Sequence, residues 1–182
     1  PYGSSTADMI QKAFITGEVM KLCKSYRSTF EITSFAQRIQ TNEELEAITR
    51  HGEKPTILSF KNPEKELSAI SELITTFKKS TYKSLGIICK TEMQAQEITE
   101  ELKSYTDNLY FLSHQSTAFA KGIIVTSSHM AKGLEFDEVI IPQANDTNYN
   151  TLIDKSMLYV AVTRAMHKLT ITHWGKPSRF IP

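Results

Sequence analysis

The stretch "LYVAVTRAMHKLTIT", Leu158–Thr172, begins with a helical pattern of apolar residues and ends with a strand pattern. We predict a helix over about 152–166 and a strand over 168–172, with Arg164 near the join. This arginine follows two apolar residues by three and four positions, so it lies on the apolar side of the predicted helix. Two explanations are open. The negative end of the helix dipole favours a cation by about 0.3–1 kcal/mol, or the arginine has an anionic partner, because an unpaired buried charge is costly.

The anionic partner of Arg164 could lie inside or outside the chain. Glu135 and Asp154 are the candidate carboxylates within the chain, and a phosphate is the candidate outside it. The stretch itself leaves these alternatives open.

A second stretch, "KSYRST" (Lys24–Thr29), places an aromatic ring beside a guanidinium. Ser28 and Glu31 form a capping-box pattern, which predicts that a helix begins there and that Tyr26 and Arg27 lie on the strand-to-helix turn. Such a pair suits a nucleotide, because a ring stacks on a base and a guanidinium pairs with phosphate oxygens. The alternative is a surface arginine next to a half-buried tyrosine.

A third stretch, "SSHMAKGLEFDEV" (Ser127–Val139), gathers polar side chains between two predicted strands. Gly133 permits a tight turn or a close backbone approach. His129, Lys132 and Glu135 flank it. The alternative is a charged loop with a turn glycine.

The elements alternate along the chain between strands and helices. Strands are predicted over 18–26, 55–60, 84–90, 108–112, 122–128, 137–143 and 168–172, and helices from Ser28, over 42–49, from Pro63, from Thr91 (a second capping box, with Gln94) and over 152–166. Several strands are apolar on both faces, which favours an α/β fold with a mostly parallel sheet covered by helices on both sides. We expect a leading segment over 1–17, partly disordered, and one domain over 18–182. Ligand-binding residues should gather at the carboxyl ends of the strands.

The overall composition limits how phosphate chemistry can be achieved. The 21 Lys and Arg residues nearly balance the 20 Asp and Glu residues, for a net charge of +1, so bulk charge favours neither nucleic acid nor a membrane. Phosphate chemistry must therefore depend on a few cationic side chains at specific positions.

No apolar run approaches the roughly 20 residues that span a bilayer, and no signal peptide is recognisable. Cys23 and Cys89 lie in apolar contexts and indicate small buried side chains in a reducing compartment, the cytoplasm.

The three stretches together resemble superfamily 1 helicases of the UvrD/Rep type. "KSYRST" resembles helicase motif IV, "SSHMAKGLEFDEVII" motif V and "MLYVAVTRAMHKL" motif VI, in the family's order and spacing. The resemblance covers nearly the whole chain and implies a RecA-like fold of the P-loop NTPase superfamily, the second domain of the helicase motor. It is closest to the HelD (helicase IV-like) branch, because only a few residues separate "NLYFLSHQ" from "GIIVTSS", where typical UvrD-type proteins carry a large inserted domain.

The resemblance implies two sets of binding residues. The first would contact ATP, with Arg27 and Arg164 reaching the γ-phosphate. Tyr26 would stack on the adenine, and Glu135 would bind the ribose. Gly133 would shape the loop of Glu135, and the Thr163 hydroxyl would support Arg164. The second set would face single-stranded DNA and comprises Ser127, Ser128, His129, Lys90 and Thr91. No residue of this chain would ligate a metal.

No G-x-x-x-x-G-K-[ST] sequence occurs in the 182 residues, and the first residue is proline. We therefore expect a piece of a longer protein whose N-terminal RecA-like domain holds most of ATP and Mg²⁺, so that this fragment alone is inactive. The expected function is the C-terminal motor half of an ATP-dependent DNA helicase or translocase. One alternative is an ATP-responsive factor that remodels or releases RNA polymerase without processive unwinding. Another is a degenerate RecA-like domain that only binds protein.

Overall fold

One six-stranded sheet organises the protein, for which a computed structural model describes residues 24–25, 27–41, 46–47, 50–116 and 122–182. The described elements, in chain order, are β1 (Lys24–Ser25), α1 (Phe30–Ile39), β2 (Glu46–Ala47), β3 (Thr56–Phe60), α2 (Pro63–Lys78), β4 (Leu85–Cys89), α3 (Glu92–Leu102), β5 (Leu109–Leu112), β6 (Ile123–Ser127), β7 (Phe136–Ile141), α4 (Leu152–Val162) and β8 (Ala165–Trp174).

All neighbouring strands of this sheet run parallel, in the order β3-β8-β7-β4-β6-β5. Helices α1 and α4 pack on one face, and α2 and α3 pack on the other. Because both faces are covered, β4 and β6 are buried at every position, which explains their continuous apolar sequences. The predicted α/β fold with a parallel sheet is confirmed. β1 and β2 form a separate two-stranded parallel sheet.

The capping box predicted from Ser28 and Glu31 is wrong. Thr29 is the N-cap of α1 and makes no side-chain cap hydrogen bond. The Glu31 carboxylate instead lies 2.8 Å from His51 Nδ1 and accepts a hydrogen bond from the Gly52 amide at 2.8 Å. The local pattern failed because a distant part of the chain supplies Glu31 with its partners. The box at Thr91 does form, with its side-chain and backbone hydrogen bonds both present.

Two predicted boundaries also differ from the structure. Glu46–Ala47, inside the helix predicted over 42–49, forms strand β2 and pairs with β1. At the carboxyl end of the chain, β8 begins at Ala165, because its ladder with β7 starts at the pair Phe136 and Ala165. Arg164 therefore lies in the short turn between α4 and β8, not within the helix.

Gly86, in the middle of β4, lies against the fully buried ring of Phe136. A Cβ at position 86 would stand 2.5 Å from a ring carbon of Phe136, so the ring or the strand would have to shift. We expect Gly86→Ala to lower the free energy of unfolding by about 1–3 kcal/mol, measured by urea denaturation. Combining it with Phe136→Leu should cost less than the sum of the two single changes. An unchanged unfolding midpoint for Gly86→Ala would contradict this packing.

Candidate functional site

Two arginines share one cleft at the amino ends of β7 and β8. Arg27 follows β1, and Arg164 immediately precedes β8. Both line a cleft of about 160 Å³ between α1 and α4, together with Ser28, Ile32, Thr33, Ala36, Gln37, Tyr159 and Thr163. Both arginines therefore border the same small cleft, and the positive charge of Arg27 acts on Arg164.

The turn that carries Arg27 is fastened to the start of β8. The Ser28 hydroxyl donates a hydrogen bond to the Ala165 carbonyl at 2.6 Å. Arg50 Nη2 donates to the carbonyl of Arg27 at 2.7 Å and to that of Met166 at 2.8 Å. These bonds hold the two arginine-bearing segments together. No motif surrounds Arg50, so this role could not be predicted from the sequence.

Arg164 is half-buried, and its hydrogen bonds within the described residues all go to uncharged oxygens. Its Nε donates to the Val160 carbonyl at 3.1 Å, its Nη1 to the Leu134 carbonyl at 3.2 Å and its Nη2 to the Thr163 hydroxyl at 3.1 Å. The bond to Val160 is the interaction expected of a cation at a helix carboxyl end. The guanidinium is thus fixed in direction by three partners, none of which neutralises its charge.

The two carboxylates considered as partners of Arg164 are used elsewhere. Glu135 pairs with Arg27, and both side chains are 39% exposed. Asp154 Oδ1 lies 2.7 Å from Lys90 Nζ. Among the described residues, no carboxylate forms a salt bridge with Arg164.

The electrostatic surroundings of Arg164 favour an added anion. Burial lowers the pKa of Arg164, and the positive charge of Arg27 lowers it further, while the negative charge of Glu135 acts in the opposite direction. An arginine nevertheless stays protonated in proteins. A phosphate in the cleft would replace lost solvation for Arg164 and relieve the repulsion between the two guanidiniums.

Two residues of the predicted nucleotide-binding set, Glu135 and Arg164, do not lie at the carboxyl ends of strands, where a parallel sheet is expected to gather its ligand-binding residues. Glu135 precedes β7 and Arg164 precedes β8, so both are at the amino edge of the sheet. The loop over 128–135 starts at the carboxyl end of β6 and therefore crosses from one edge to the other. Gly133 in this loop has φ +90°, and a Cβ there would meet no atom within 4 Å. Its importance is its left-handed backbone conformation and not a lack of space. Tyr26 lies outside the described residues.

Three of the predicted nucleic-acid residues lie at the carboxyl edge of the sheet, where Ser127 ends β6 and Ser128 and His129 follow it. The hydroxyls of Ser127 and Ser128 belong to buried residues. Ser128 Oγ donates to the Cys89 carbonyl at 3.1 Å, and Ser127 Oγ accepts from the Met130 amide at 3.3 Å. Both hydroxyls hold the loop in this conformation, while His129 is exposed. A contact with nucleic acid stays a prediction for all three.

Lys90 and Thr91 follow β4 at the same edge. Lys90 Nζ bonds to the Asn148 carbonyl at 2.5 Å as well as to Asp154. Burial alone would raise the pKa of Asp154, but hydrogen bonds from Lys90, Thr151 and the Asn150 amide together lower it to about 2. Thr91 caps α3.

Two absences concern only the part of the chain that the structure describes. It contains no group of three or more His, Cys, Asp or Glu side chains that could hold a metal ion. None of its helices is long and apolar enough to cross a membrane. Cys89 is free and buried, and burial raises the pKa of its thiol.

Family models and solved structures identify relatives of this chain. Models of the UvrD-like helicase C-terminal domain match residues 20–121 and 122–172. The crystal structure of the C-terminal domain of a possible DNA helicase from Lactobacillus plantarum WCFS1 is 30% identical, with a TM-score of 0.74 over 86% of this chain and 92% of that chain. Arterivirus nonstructural protein 10, a helicase solved with DNA, is 12% identical, with a TM-score of 0.47 over 67% of this chain and 28% of that chain. No curated protein matches.

The sequence and the fold thus agree on the kind of domain. One family model spans more than half of the chain, and the bacterial C-terminal domain is similar over nearly its whole length. The parallel sheet with helices on both faces is the RecA-like fold of these domains. This chain belongs to the family of UvrD-like helicase C-terminal domains.

Proposed function

We propose that this domain is the C-terminal motor half of an ATP-dependent DNA helicase or translocase. Its role at the nucleotide would be to present Arg27 and Arg164 to the γ-phosphate of an ATP that the N-terminal RecA-like domain of the same protein holds. Single-stranded DNA would contact the opposite edge of the sheet, at Ser127, Ser128, His129, Lys90 and Thr91.

The observation that carries this proposal is the state of Arg164. Its guanidinium is oriented by three in-chain partners, is half-buried beside Arg27, and has no carboxylate partner among the described residues. An anion that enters the cleft stabilises the positive charge of such a side chain more than that of an arginine already paired with a carboxylate. Phosphoryl transfer spreads negative charge over the oxygens of the transferred group, and a well-placed arginine that stabilises this charge accelerates the reaction about 10³–10⁵-fold.

The ion pair of Arg27 and Glu135 would open when ATP binds, so that each side chain contacts a different part of the nucleotide. An exposed ion pair contributes only about 0–1 kcal/mol to stability, so a phosphate could recruit Arg27 at small cost. Glu135 would then be released to accept hydrogen bonds from the ribose. Thr163, which accepts from Arg164, and Gly133, which sets the loop conformation, would support this arrangement, with Tyr26 stacking on the adenine.

Mg²⁺ and most contacts with ATP would belong to the N-terminal domain. The sequence has no phosphate-binding loop of the G-x-x-x-x-G-K-[ST] type, and the described residues contain no candidate metal cluster. When bound, Mg²⁺ neutralises charge on the β- and γ-phosphate oxygens. This chain would contribute the positive charges of Arg27 and Arg164.

The loop over 128–135 would link nucleotide hydrolysis to DNA movement. One end carries Glu135, and Arg164 bonds to the neighbouring Leu134 carbonyl. The other end carries His129 at the opposite edge. Loss of the γ-phosphate would remove the anion that holds the arginines, and the loop could transmit this change across the sheet.

We expect the purified 182-residue chain to release no phosphate from ATP, because it lacks the phosphate-binding loop. The intact protein should hydrolyse ATP and unwind a duplex with a single-stranded tail. Phosphate release with and without Mg²⁺ measures the first expectation. Robust Mg²⁺-dependent turnover by the chain alone would contradict the division of roles between two domains.

A second candidate function follows from the short connection between β5 and β6. Only residues 113–122 separate these strands, which favours the HelD type, in which an ATP-responsive factor remodels or releases RNA polymerase. ATP-dependent dissociation of the intact protein from polymerase, without unwinding of a tailed duplex, would support this candidate over the first.

A further inference from the structure

A groove of about 350 Å³, which we call the edge groove, lies between α1 and the outer edge of the main sheet at β3. Its apolar lining consists of Phe30 and Phe35 of α1, Pro55, which precedes β3, and Ile57 of β3. Phe30 and Ile57 stay 43% and 40% exposed. Among the described residues, none lines both this groove and the arginine cleft. The edge groove is therefore a separate surface of the domain.

The edge groove exists because the apolar face of the sheet continues beyond the helices that cover it. Ile57 of β3 is in register with Ile171 of β8. Ile171 is fully buried in the core beneath α1 and α4, whereas Ile57 remains partly open to solvent. Exposed apolar side chains that group in one groove are typical of an interaction site.

The backbone of β3 has an open side along this groove. β3 pairs with β8 and is the first strand in the order of the sheet. An edge strand turns the N–H and C=O groups of alternate residues away from the sheet, and no described residue outside the sheet bonds to the backbone of Thr56–Phe60. This stretch contains no proline, charged residue or bulge, the features that block the addition of a strand. A further strand can therefore pair with β3.

The charge of the edge groove is positive. Arg38 and Lys54 are exposed members of its lining, and neither forms a salt bridge among the described residues. The carboxylate in the lining, Glu31, lies 2.8 Å from His51 Nδ1 and accepts a hydrogen bond from the Gly52 amide. Because Glu31 is already engaged, the two cations favour an acidic occupant.

We propose that the edge groove binds an extended acidic peptide of a partner protein. The peptide adds a strand along β3 and places one large apolar side chain against Phe30 and Ile57. In this mode of recognition, backbone hydrogen bonds supply affinity and pockets for alternate side chains supply specificity. The five residues of β3 span about 17 Å, enough for several such bonds.

Two other occupants fit this surface less well. Phosphate groups accept hydrogen bonds but donate none, so the outward C=O groups of β3 would repel the backbone of a nucleic acid, whereas a peptide supplies both N–H and C=O groups. A second copy of this chain in a two-fold contact would bring the same surface together twice. Arg38 and Lys54 of both copies would then repel one another.

A phage-displayed library of random peptides tests the chemistry of the occupant. Peptides of about nine residues cover the length of β3 and are selected on the 182-residue chain. We expect the selected peptides to be rich in Asp and Glu and to contain a large apolar residue. Selected peptides that are basic, or a selection that yields no peptide, would overturn the proposal.

Ile57→Ala and Lys54→Glu test whether the best selected peptide binds in the edge groove. We expect at least about fivefold weaker binding for the loss of the apolar side chain and about tenfold for the reversed charge, measured by fluorescence anisotropy of the labelled peptide. Lys79→Glu is an equal charge change at the end of α2, on the other face of the sheet, and should leave binding unchanged. Circular dichroism establishes that each variant is folded. Binding that survives Ile57→Ala, or equal losses in the two lysine variants, would overturn the proposal.

N-methylation of the peptide tests the addition of a strand itself. One version carries methyl groups on the backbone nitrogens of odd-numbered residues and the other on those of even-numbered residues. A strand presents only alternate N–H groups to one neighbour, so one version should lose at least about tenfold in affinity and the other should bind like the unmodified peptide. Equal binding by the two versions would overturn the pairing with β3.

The two alternative occupants have their own readouts. Sedimentation velocity should show a monomer, and a dimer that the peptide dissociates would make the edge groove a contact between copies of this chain instead. A thymidine oligonucleotide should not displace the labelled peptide. Displacement would assign the groove to nucleic acid and overturn the proposal.

Discussion

Replacing Arg164 with alanine should lower the turnover number for ATP hydrolysis by the intact protein by about 10³-fold or more. The guanidinium is oriented by Val160, Leu134 and Thr163 before any nucleotide arrives, so no reorganisation is needed when charge develops on the transferred phosphoryl group. An interaction that forms mainly in the transition state affects the turnover number much more than KM for ATP. Steady-state phosphate release at several ATP concentrations measures both.

The controls for Arg164 must separate charge, shape and folding. Arg164→Lys keeps the positive charge but cannot direct three donors at once, so we expect it to recover only part of the lost turnover. Arg38→Ala removes an exposed arginine on α1 and should leave turnover unchanged. Loss of the three hydrogen bonds should lower the thermal midpoint, which circular dichroism measures. If a folded Arg164→Ala protein keeps turnover within twofold of the parent, Arg164 does not act on the γ-phosphate.

The sheet could be predicted because its strands carry their own signal. β4 and β6 are short apolar runs between helical patterns, and burial on both faces of a parallel sheet requires that sequence. The apolar stripe of α1 is also local, since a helix buries residues three and four apart. These features depend on neighbours along the chain, and the sequence contains them in full.

The site was less predictable, because its parts depend on contacts between distant residues. Arg50 fastens Arg27 to Met166, which is 116 residues away from Arg50. Glu31 fits the pattern of a capping box, yet its carboxylate instead contacts His51 and accepts a hydrogen bond from the Gly52 amide. The edge at which each binding residue lies was also hidden, since the loop over 128–135 crosses the sheet and places its two ends on opposite sides.

Replacing Arg27 with alanine should also lower the turnover number, by about 10²–10³-fold. We expect a smaller effect than at Arg164 because Arg27 is 39% exposed and must first leave Glu135. The same change frees Glu135 from its ion pair, so ribose binding should not suffer. KM for ATP should therefore change little in Arg27→Ala, while Glu135→Gln should mainly raise KM and leave most of the turnover.

The double variant Arg27→Ala with Glu135→Gln tests whether the two side chains exchange partners. If they act on separate parts of ATP, their effects on turnover divided by KM should multiply, apart from about 1 kcal/mol for the lost ion pair. If the ion pair itself were the functional unit, either single change would remove it and the double variant would be no worse than the more damaging single one. Titration of a fluorescent ATP analogue gives the binding part of each effect. An Arg27→Ala protein that binds and hydrolyses ATP like the parent would leave Arg27 with a purely structural role, as the partner that holds Glu135 and the start of the loop over 128–135 in place.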